Sequence, residues 1–260
     1  MSSPQGRFAA GAALLSGHTL ADTEAYGKHL LHHFDTGMTM HVHLGLYGRF
    51  TDGVPPVPPP VGQVRTRMVS DTHWMDLRGP TTCEVLAAAQ VASLRARLGA
   101  DPLRDDADPG PSFRRIACST RPIFALLLDQ TIVAGCGLIY ANEVLFRAGL
   151  APTTAGRRVG AKCWDELWED LRALMKEGVA RGRIDTVHTA HTPEAMHRAP
   201  RLDRHGGEVY VYRRPGLPCY VCGTPVARGP LAGRNLYWCP HCQPLPDSAR
   251  KTVRRGRTSG

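Results

Sequence analysis

The sequence lacks a long apolar run. A stretch of about 18 consecutive apolar residues, the length that crosses a bilayer, does not occur in it, so no transmembrane helix is predicted. The first residues also lack the basic start and the apolar core of a secretory signal. Hydrophobic residues at 42% and charged residues at 21% are proportions of a globular chain rather than a disordered one. These features predict a cytoplasmic globular protein without a membrane partner.

Acidic residues are also scarce. The chain carries 23 Asp and Glu against 32 Lys and Arg, which gives a net charge of +9. A surplus of this sign favours polyanionic partners, because each cation that meets a phosphate releases condensed counterions. Charge that serves only solubility is the alternative, and nucleic acid is the partner that we favour.

The first part of the chain is predicted to be rich in β-structure. Alternating or β-forming residues predict strands over 29–34, 38–44, 64–70 and 73–77, separated by glycine-containing turns. The proline-rich stretch 54–60 is expected to be an exposed loop, because proline donates no hydrogen bond to a central strand. A helix is predicted over 84–97, and the Asp- and Pro-rich stretch 101–111 is expected to link two domains.

The second part is predicted to be helical. Helices are expected over 123–130, 139–148 and 161–179, with a short strand over 208–212. The tail 247–260 is basic and poor in apolar residues, which predicts disorder. The fold class is therefore α+β.

Four of the eight cysteines follow a metal-binding pattern. Cys219 and Cys222 form one C-x-x-C knuckle, Cys239 and Cys242 form a second, and 16 residues separate them. This spacing predicts a tetrahedral Cys₄ zinc site whose intervening residues form a β-hairpin. A redox pair or a coincidence is the alternative. The zinc would be structural, because so small a core does not fold without it.

Longer motifs then point to a family. Residues 126–146 read LLLDQTIVAGCGLIYANEVLF, residues 212–219 read YRRPGLPC, and residues 233–243 read GRNLYWCPHCQ. Together with HLGLYG at 43–48, they resemble the formamidopyrimidine-DNA glycosylase/endonuclease VIII family, and the endonuclease VIII branch in particular. The resemblance runs from about residue 3 to residue 243.

The resemblance implies an architecture and an activity. It implies an N-terminal β-sandwich domain over 1–105, a helix–two-turn–helix domain over 112–205 and a Cys₄ zinc-ribbon β-hairpin over 206–246. It also implies a monomeric, nucleoid-associated DNA repair enzyme that binds one structural Zn²⁺. Such an enzyme excises oxidised bases from duplex DNA and cuts the strand at abasic sites. A non-catalytic module that binds damaged or abasic DNA is the alternative.

The resemblance also assigns roles to residues. Lys28 and Arg234 match catalytic positions, with Arg234 gripping a phosphate, as a guanidinium does well. The DNA-contacting set implied by the motifs is Leu46, Tyr47, Arg97, Gly135, Gly137, Leu138 and Arg234. Leu46 and Tyr47 would be the wedge that fills the gap left by a flipped base. Without the family context, a core position for this pair and a solvated surface position for Lys28 are the simpler interpretations.

The sequence departs from the family pattern at three places. The family nucleophile is the amine of a proline in an N-terminal Met-Pro-Glu-Gly, whereas this chain begins Met1-Ser2-Ser3. A gene start assigned too far downstream, or a true truncation, would explain this, and we expect little base excision from the chain as written. Lys28 or the amine of Ser2 could still form a slow Schiff base. Leu138 replaces a phosphate-binding asparagine, and Gly45 replaces a wedge glutamine found in some relatives.

Overall fold

The computed structural model describes residues 1–203 and 207–245. The chain divides into two compact units, Met1–Leu98 and the residues from Gly99 onward. The predicted domain limits at 105, 205 and 246 stay predictions, and the predicted disordered tail lies outside the described residues. Within the described part, no helix is both long and apolar enough to cross a membrane.

The first unit contains two antiparallel sheets and two helices. Its elements are α1 (Ala9–Leu15), β1 (Leu20–Tyr26), β2 (His29–Phe34), β3 (Thr39–His43), β4 (Arg49–Gly53), β5 (Val64–Val69), β6 (Trp74–Arg78), β7 (Thr82–Leu86) and α2 (Ala88–Ala96). The first sheet has the order β1-β2-β3-β7 and the second has the order β4-β6-β5. The predicted β-sandwich is therefore confirmed.

Strand β2 shows why this sheet has apolar residues on both faces. Phe34 belongs to a core that also holds Leu15 of α1 and Leu77 of the second sheet. Leu31 points to the opposite face, since side chains alternate along a strand. There it packs with Val91 and its neighbours on α2. The first sheet is thus covered on both sides, which fixes its register.

A buried carboxylate ties the second sheet together. Asp76 is fully buried and accepts hydrogen bonds from Arg67 Nε at 2.7 Å, Arg67 Nη2 at 2.9 Å and Arg78 Nη2 at 2.8 Å. The hydrogen bonds from Arg67, together with the charges of both arginines, hold the pKa of Asp76 below its ordinary value. A buried charge is tolerated here because it is paired and fully hydrogen-bonded.

The described part of the second unit contains four α-helices and a hairpin. These are α3 (Gly110–Ala117), α4 (Ile123–Leu127), α5 (Leu138–Arg147), α6 (Ala161–Arg181), β8 (Ala227–Leu231) and β9 (Arg234–Trp238). The apolar stripe of α6 includes Trp164 and Trp168, which are buried with Leu236 and Trp238 of the hairpin in one core. The hairpin is therefore part of the unit's main core.

The structure corrects two predictions of secondary structure. Residues 84–86 belong to β7 rather than to a helix, because Glu84 pairs with His41 of β3. Residues 208–212 form no strand. Their backbone is bent so that the amides of Tyr210, Val211 and Tyr212 donate to the buried carboxylate of Glu143. A contact across 67 residues of chain overrides the local strand propensity.

Several elements escaped prediction, among them the helices α1 and α3 and the strands β1 and β4. Strand β1 is largely exposed and lies at the edge of its sheet, so it needs few apolar residues.

Candidate DNA-binding site and zinc ribbon

The four ribbon cysteines converge on one point. Their sulfur atoms all lie within 4.8 Å of one another, with Cys219 Sγ 3.9 Å from Cys242 Sγ and Cys222 Sγ 3.4 Å from Cys239 Sγ. Four thiolates bound tetrahedrally at about 2.3 Å from zinc would stand roughly 3.8 Å apart. The residues present therefore fit one structural Zn²⁺, as the spacing predicted.

Backbone hydrogen bonds shape the two knuckles. Gly223 adopts a φ of +73°, which glycine tolerates, and its amide donates to Cys219 O at 2.9 Å. In the second knuckle the amide of Cys242 donates to Cys239 Sγ at 3.4 Å. The turn thus directs two sulfurs of each knuckle to the same side.

Arg234 stands at the tip of the hairpin. Ala232 and Gly233 form the turn with φ values of 50° and 72°, and Arg234 is the first residue of β9 and is exposed. Behind it, the amide of Tyr237 donates to Asn142 Oδ1 at 2.7 Å, which fastens β9 to α5. The guanidinium is thus presented to solvent from a rigid base.

The connection between α4 and α5 forms a glycine turn. Gly135 has a φ of +84°, and its amide donates to Gln130 Oε1 at 2.9 Å. Gln130 Nε2 donates in turn to Cys136 O at 3.0 Å, so one side chain clamps the turn. The N-cap of α5 is Gly137, which has no capping side chain. Helix amides that no side chain caps, together with the helix dipole, favour an anion at this end.

Gly137 and Leu138 differ in their surroundings. Gly137 has a φ of −112°, and a Cβ added there would meet no atom within 4 Å among the described residues. The fold itself therefore does not demand glycine, whereas the close approach of a ligand to the backbone would. The partly buried side chain of Leu138 packs against both cores of the second unit, so this residue offers only its backbone amide to a ligand.

The turn after β3 in the first unit carries two exposed apolar side chains. Leu46 is 79% exposed and Tyr47 is 82% exposed, so neither is a core residue. Gly48 N donates to Leu44 O at 3.0 Å and closes the turn. Gly45 has a φ of +66°, and a Cβ there would collide with Thr81 Oγ1, so any larger residue at this position would be strained.

Lys28 and Arg97 lie near a group of histidines in the same unit. Lys28 is exposed in the turn between β1 and β2, and Arg97 is the exposed C-cap of α2. The pKa of His29 is lowered to about 4, chiefly by burial and also by the charges of His41, His43, Arg97 and Lys28. His29 is therefore neutral at neutral pH.

The histidines themselves were missed at the level of sequence. His41 Nδ1 hydrogen-bonds Glu84 Oε1 at 2.9 Å, and His41 Nε2 lies 2.8 Å from His29 Nδ1. The alternation of His41 and His43 along β3 places both on one face, which is the signal that could have revealed the group.

The predicted site residues fall into two groups, each within one unit. Lys28, Leu46, Tyr47 and Arg97 belong to the first unit. Gly135, Gly137, Leu138 and Arg234 belong to the second. Their roles in DNA binding and catalysis stay predictions.

Comparison with known proteins identifies the parts. Residues 3–83 match the formamidopyrimidine-DNA glycosylase N-terminal domain, and residues 98–189 match the H2TH domain of the same family. Residues 216–245 match a zinc finger found in FPG and IleRS.

Whole-chain relatives agree. The chain is 49% identical over 247 residues to Endonuclease 8 1 of Mycobacterium tuberculosis strain H37Rv, which covers 94% of this chain and 91% of that protein. It is 34% identical over 237 residues to a formamidopyrimidine-DNA glycosylase of Thermus thermophilus, covering 89% of this chain and 85% of the relative.

Solved structures share the fold. The crystal structure of the MutM (FPG) protein from Thermus thermophilus is 32% identical and superposes with a TM-score of 0.70, covering 90% of this chain and 86% of that one. Lactococcus lactis FPG in complex with FAPY-dG-containing DNA superposes with a TM-score of 0.72 at 22% identity, covering 90% of this chain and 85% of that one. The second likeness concerns the fold alone.

The matched family models and the curated relatives place this combination of β-sandwich, helical unit and Cys₄ ribbon among the DNA repair glycosylases. The matched domains and the identity to curated relatives show which group is concerned. The chain belongs to the formamidopyrimidine-DNA glycosylase/endonuclease VIII family.

Proposed function

We propose that this protein is a bifunctional DNA glycosylase and abasic-site lyase of the endonuclease VIII type, which acts on oxidised bases in duplex DNA. The observation that carries the proposal is the exposure of Leu46 and Tyr47 on a turn closed by glycines. Two large apolar side chains held in solvent need a reason. Insertion between base steps while a damaged nucleotide is flipped out is such a reason.

Phosphate contacts would come from the second unit. The amides at the N-terminus of α5 suit one phosphate, because Gly137 leaves room for close approach. Arg234 at the hairpin tip suits another, since a guanidinium can bind two phosphate oxygens at once. Zinc takes no part in the chemistry in this proposal and only holds the hairpin in shape.

The chemistry requires an amine that attacks C1′ of the sugar and forms a Schiff base. In the 260-residue polypeptide the candidates are Lys28 Nζ and the N-terminal α-amine. Neither is an N-terminal proline, so base excision by this polypeptide should be impaired. Without any such reaction, the same surfaces would serve a module that only binds damaged or abasic DNA.

Borohydride trapping on abasic-site duplex DNA tests this proposal. We expect a strong covalent complex from a version extended upstream to begin Met-Pro-Glu-Gly, and a weak one from the 260-residue chain. Lys28→Ala in the shorter chain should abolish the weak band if Lys28 supplies the amine. If the extended version forms no trapped complex although it binds the DNA, the enzyme proposal fails and the binding module replaces it.

Replacing Arg234 tests the phosphate grip. In the version extended upstream, Arg234→Ala should lower strand cleavage by about 10- to 100-fold, because a charge-assisted hydrogen bond contributes about 1.5–3 kcal/mol. Binding of the intact duplex should fall by less. Gel assays of cleavage and fluorescence anisotropy of binding measure the two effects. Arg228→Ala, an exposed arginine on β8 of the same hairpin, is the matched control. Equal losses in both variants would contradict a special role for Arg234.

A further inference from the structure

The second unit carries a dense group of exposed cations away from the predicted motifs. We call it the α3 basic cluster, and its members are Arg114, Arg115, Arg121, Arg157, Arg158 and Lys162. They come from α3, from the loop that follows it, from the single turn Gly156–Arg158 and from the start of α6. All six are exposed, so the core does not require them.

Backbone hydrogen bonds bring these separate stretches together. The amide of Arg157 donates to Ser119 O at 2.8 Å, and the amide of Gly156 donates to Arg121 O at 3.0 Å. Gly156 is buried so closely under α3 that a Cβ there would collide with Ile116 O. The stretches that carry Arg121, Arg157 and Arg158 are therefore held at one fixed junction beside α3.

The charge of the cluster is poorly balanced. Residues 110–121 and 153–162 contain no Asp or Glu. Arg121 pairs with Asp129 at 2.9 Å, and Lys162 lies 3.9 Å from Glu166. Within the part of the chain that the structure describes, the other four arginines form no ion pair with a carboxylate. A surface of this kind repels itself and favours a polyanion.

The cluster borders the connection that leads to the N-terminus of α5. Arg115 Nη1 donates to Thr131 O at 2.5 Å, and Ser112 Oγ donates to Ile132 O at 2.6 Å. Arg121 pairs with Asp129 of the same connection. The neighbouring Gln130 clamps the glycine turn through Gly135. Cations and helix amides are therefore supported by one short segment.

We infer that the α3 basic cluster binds the phosphate backbone of duplex DNA beyond the lesion, as an extension of the phosphate site at α5. The inference rests on the proposed function. DNA is favoured over other polyanions because the cluster is continuous with the segment that presents the α5 amides. Such contacts would add affinity without reading sequence, because phosphates carry no base identity.

The test compares two double variants of the full chain that each remove two positive charges. R157Q/R158Q alters the cluster, and R172Q/K176Q alters α6, where both cations pair with Asp105. Binding is measured between about 50 and 300 mM salt. Two duplexes of about 25 base pairs are used, one with a tetrahydrofuran abasic analogue and one undamaged. The slope of log affinity against log salt is negative, and each lost phosphate contact makes it less steep by about 0.9.

We expect R157Q/R158Q to make that slope less steep by about 1.8, since each contact accounts for about 0.9. The same variant should lower the affinity about tenfold or more on both duplexes. R172Q/K176Q should leave the slope nearly unchanged, and neither variant should alter the melting temperature. Adding R114Q to R157Q/R158Q should make the slope still less steep.

Two outcomes would contradict these expectations. If the parent chain binds firmly and the two double variants have equal slopes, the inference is overturned and the proposed function stays intact. A parent chain that binds neither duplex would instead refute the proposed function, and the inference with it.

Discussion

Cys239→Ser should abolish zinc binding and unfold the hairpin that carries Arg234. Cys239 is fully buried, and its sulfur lies 3.4 Å from that of Cys222. Three remaining thiolates leave the tetrahedral shell incomplete, and a structural zinc contributes about 10 kcal/mol or more to folding. The loss would spread, because Leu236 and Trp238 of the hairpin belong to the main core of the second unit. A lower melting temperature should accompany the loss of metal. In the version extended upstream, DNA cleavage should be lost as well.

Zinc content by mass spectrometry and thermal unfolding by circular dichroism check this result. Wild-type protein should contain one zinc per chain, and a strong chelator should reproduce the effect of the substitution. Cys118→Ser is the control, because that thiol is exposed and lies outside the ribbon. Full zinc content with an unchanged melting temperature in Cys239→Ser would contradict the assignment of the ribbon.

Glu143→Gln should destabilise the second unit by about 4 kcal/mol, an effect of the size seen when a buried charged network is broken. Glu143 is fully buried, and its carboxylate accepts bonds from Thr186 Oγ1 at 2.6 Å and from the amides of three successive residues at 2.7 to 2.9 Å. Glutamine would place an NH₂ donor against some of these donors. Buried donors without an acceptor lose their hydration and gain nothing.

Urea unfolding of the parent chain and the variant measures the change in the free energy of unfolding. Glu177→Gln on α6 provides a matched control, because Glu177 is exposed and forms an ion pair with Arg181 one turn along the helix. Such pairs contribute about 0.5 kcal/mol or less. If both variants unfold at the same urea concentration as the parent, Glu143 does not organise residues 208–212 as described.

Much of the candidate site follows from short-range sequence patterns. The zinc ribbon and its hairpin were predicted from four cysteines, since two C-x-x-C pairs restrict where the sulfurs can lie. Strand β2 was predicted to the residue, because its β-forming residues run without a break between two turns. The family resemblance assigned Gly135 and Gly137 to DNA binding, and the structure adds that Gly135 has a positive φ.

Other features depended on partners far away in the chain. Residues 208–212 look like a strand, and only Glu143 shows that their amides bond elsewhere. Apolar character alone would place Leu46 and Tyr47 in a core, whereas both side chains are exposed. The α3 basic cluster joins stretches that lie far apart along the chain and that nothing in the sequence connects.

By itself, then, the sequence determined the metal site, the main helices and the family, because these rest on spacings of a few residues that chain geometry keeps fixed. The tertiary structure alone decided which polar groups are buried together and which cations become neighbours. Those outcomes depend on contacts between distant residues, such as the one that brings Glu143 to the amide of Tyr210. Their existence follows from the packing of the whole unit rather than from any local pattern.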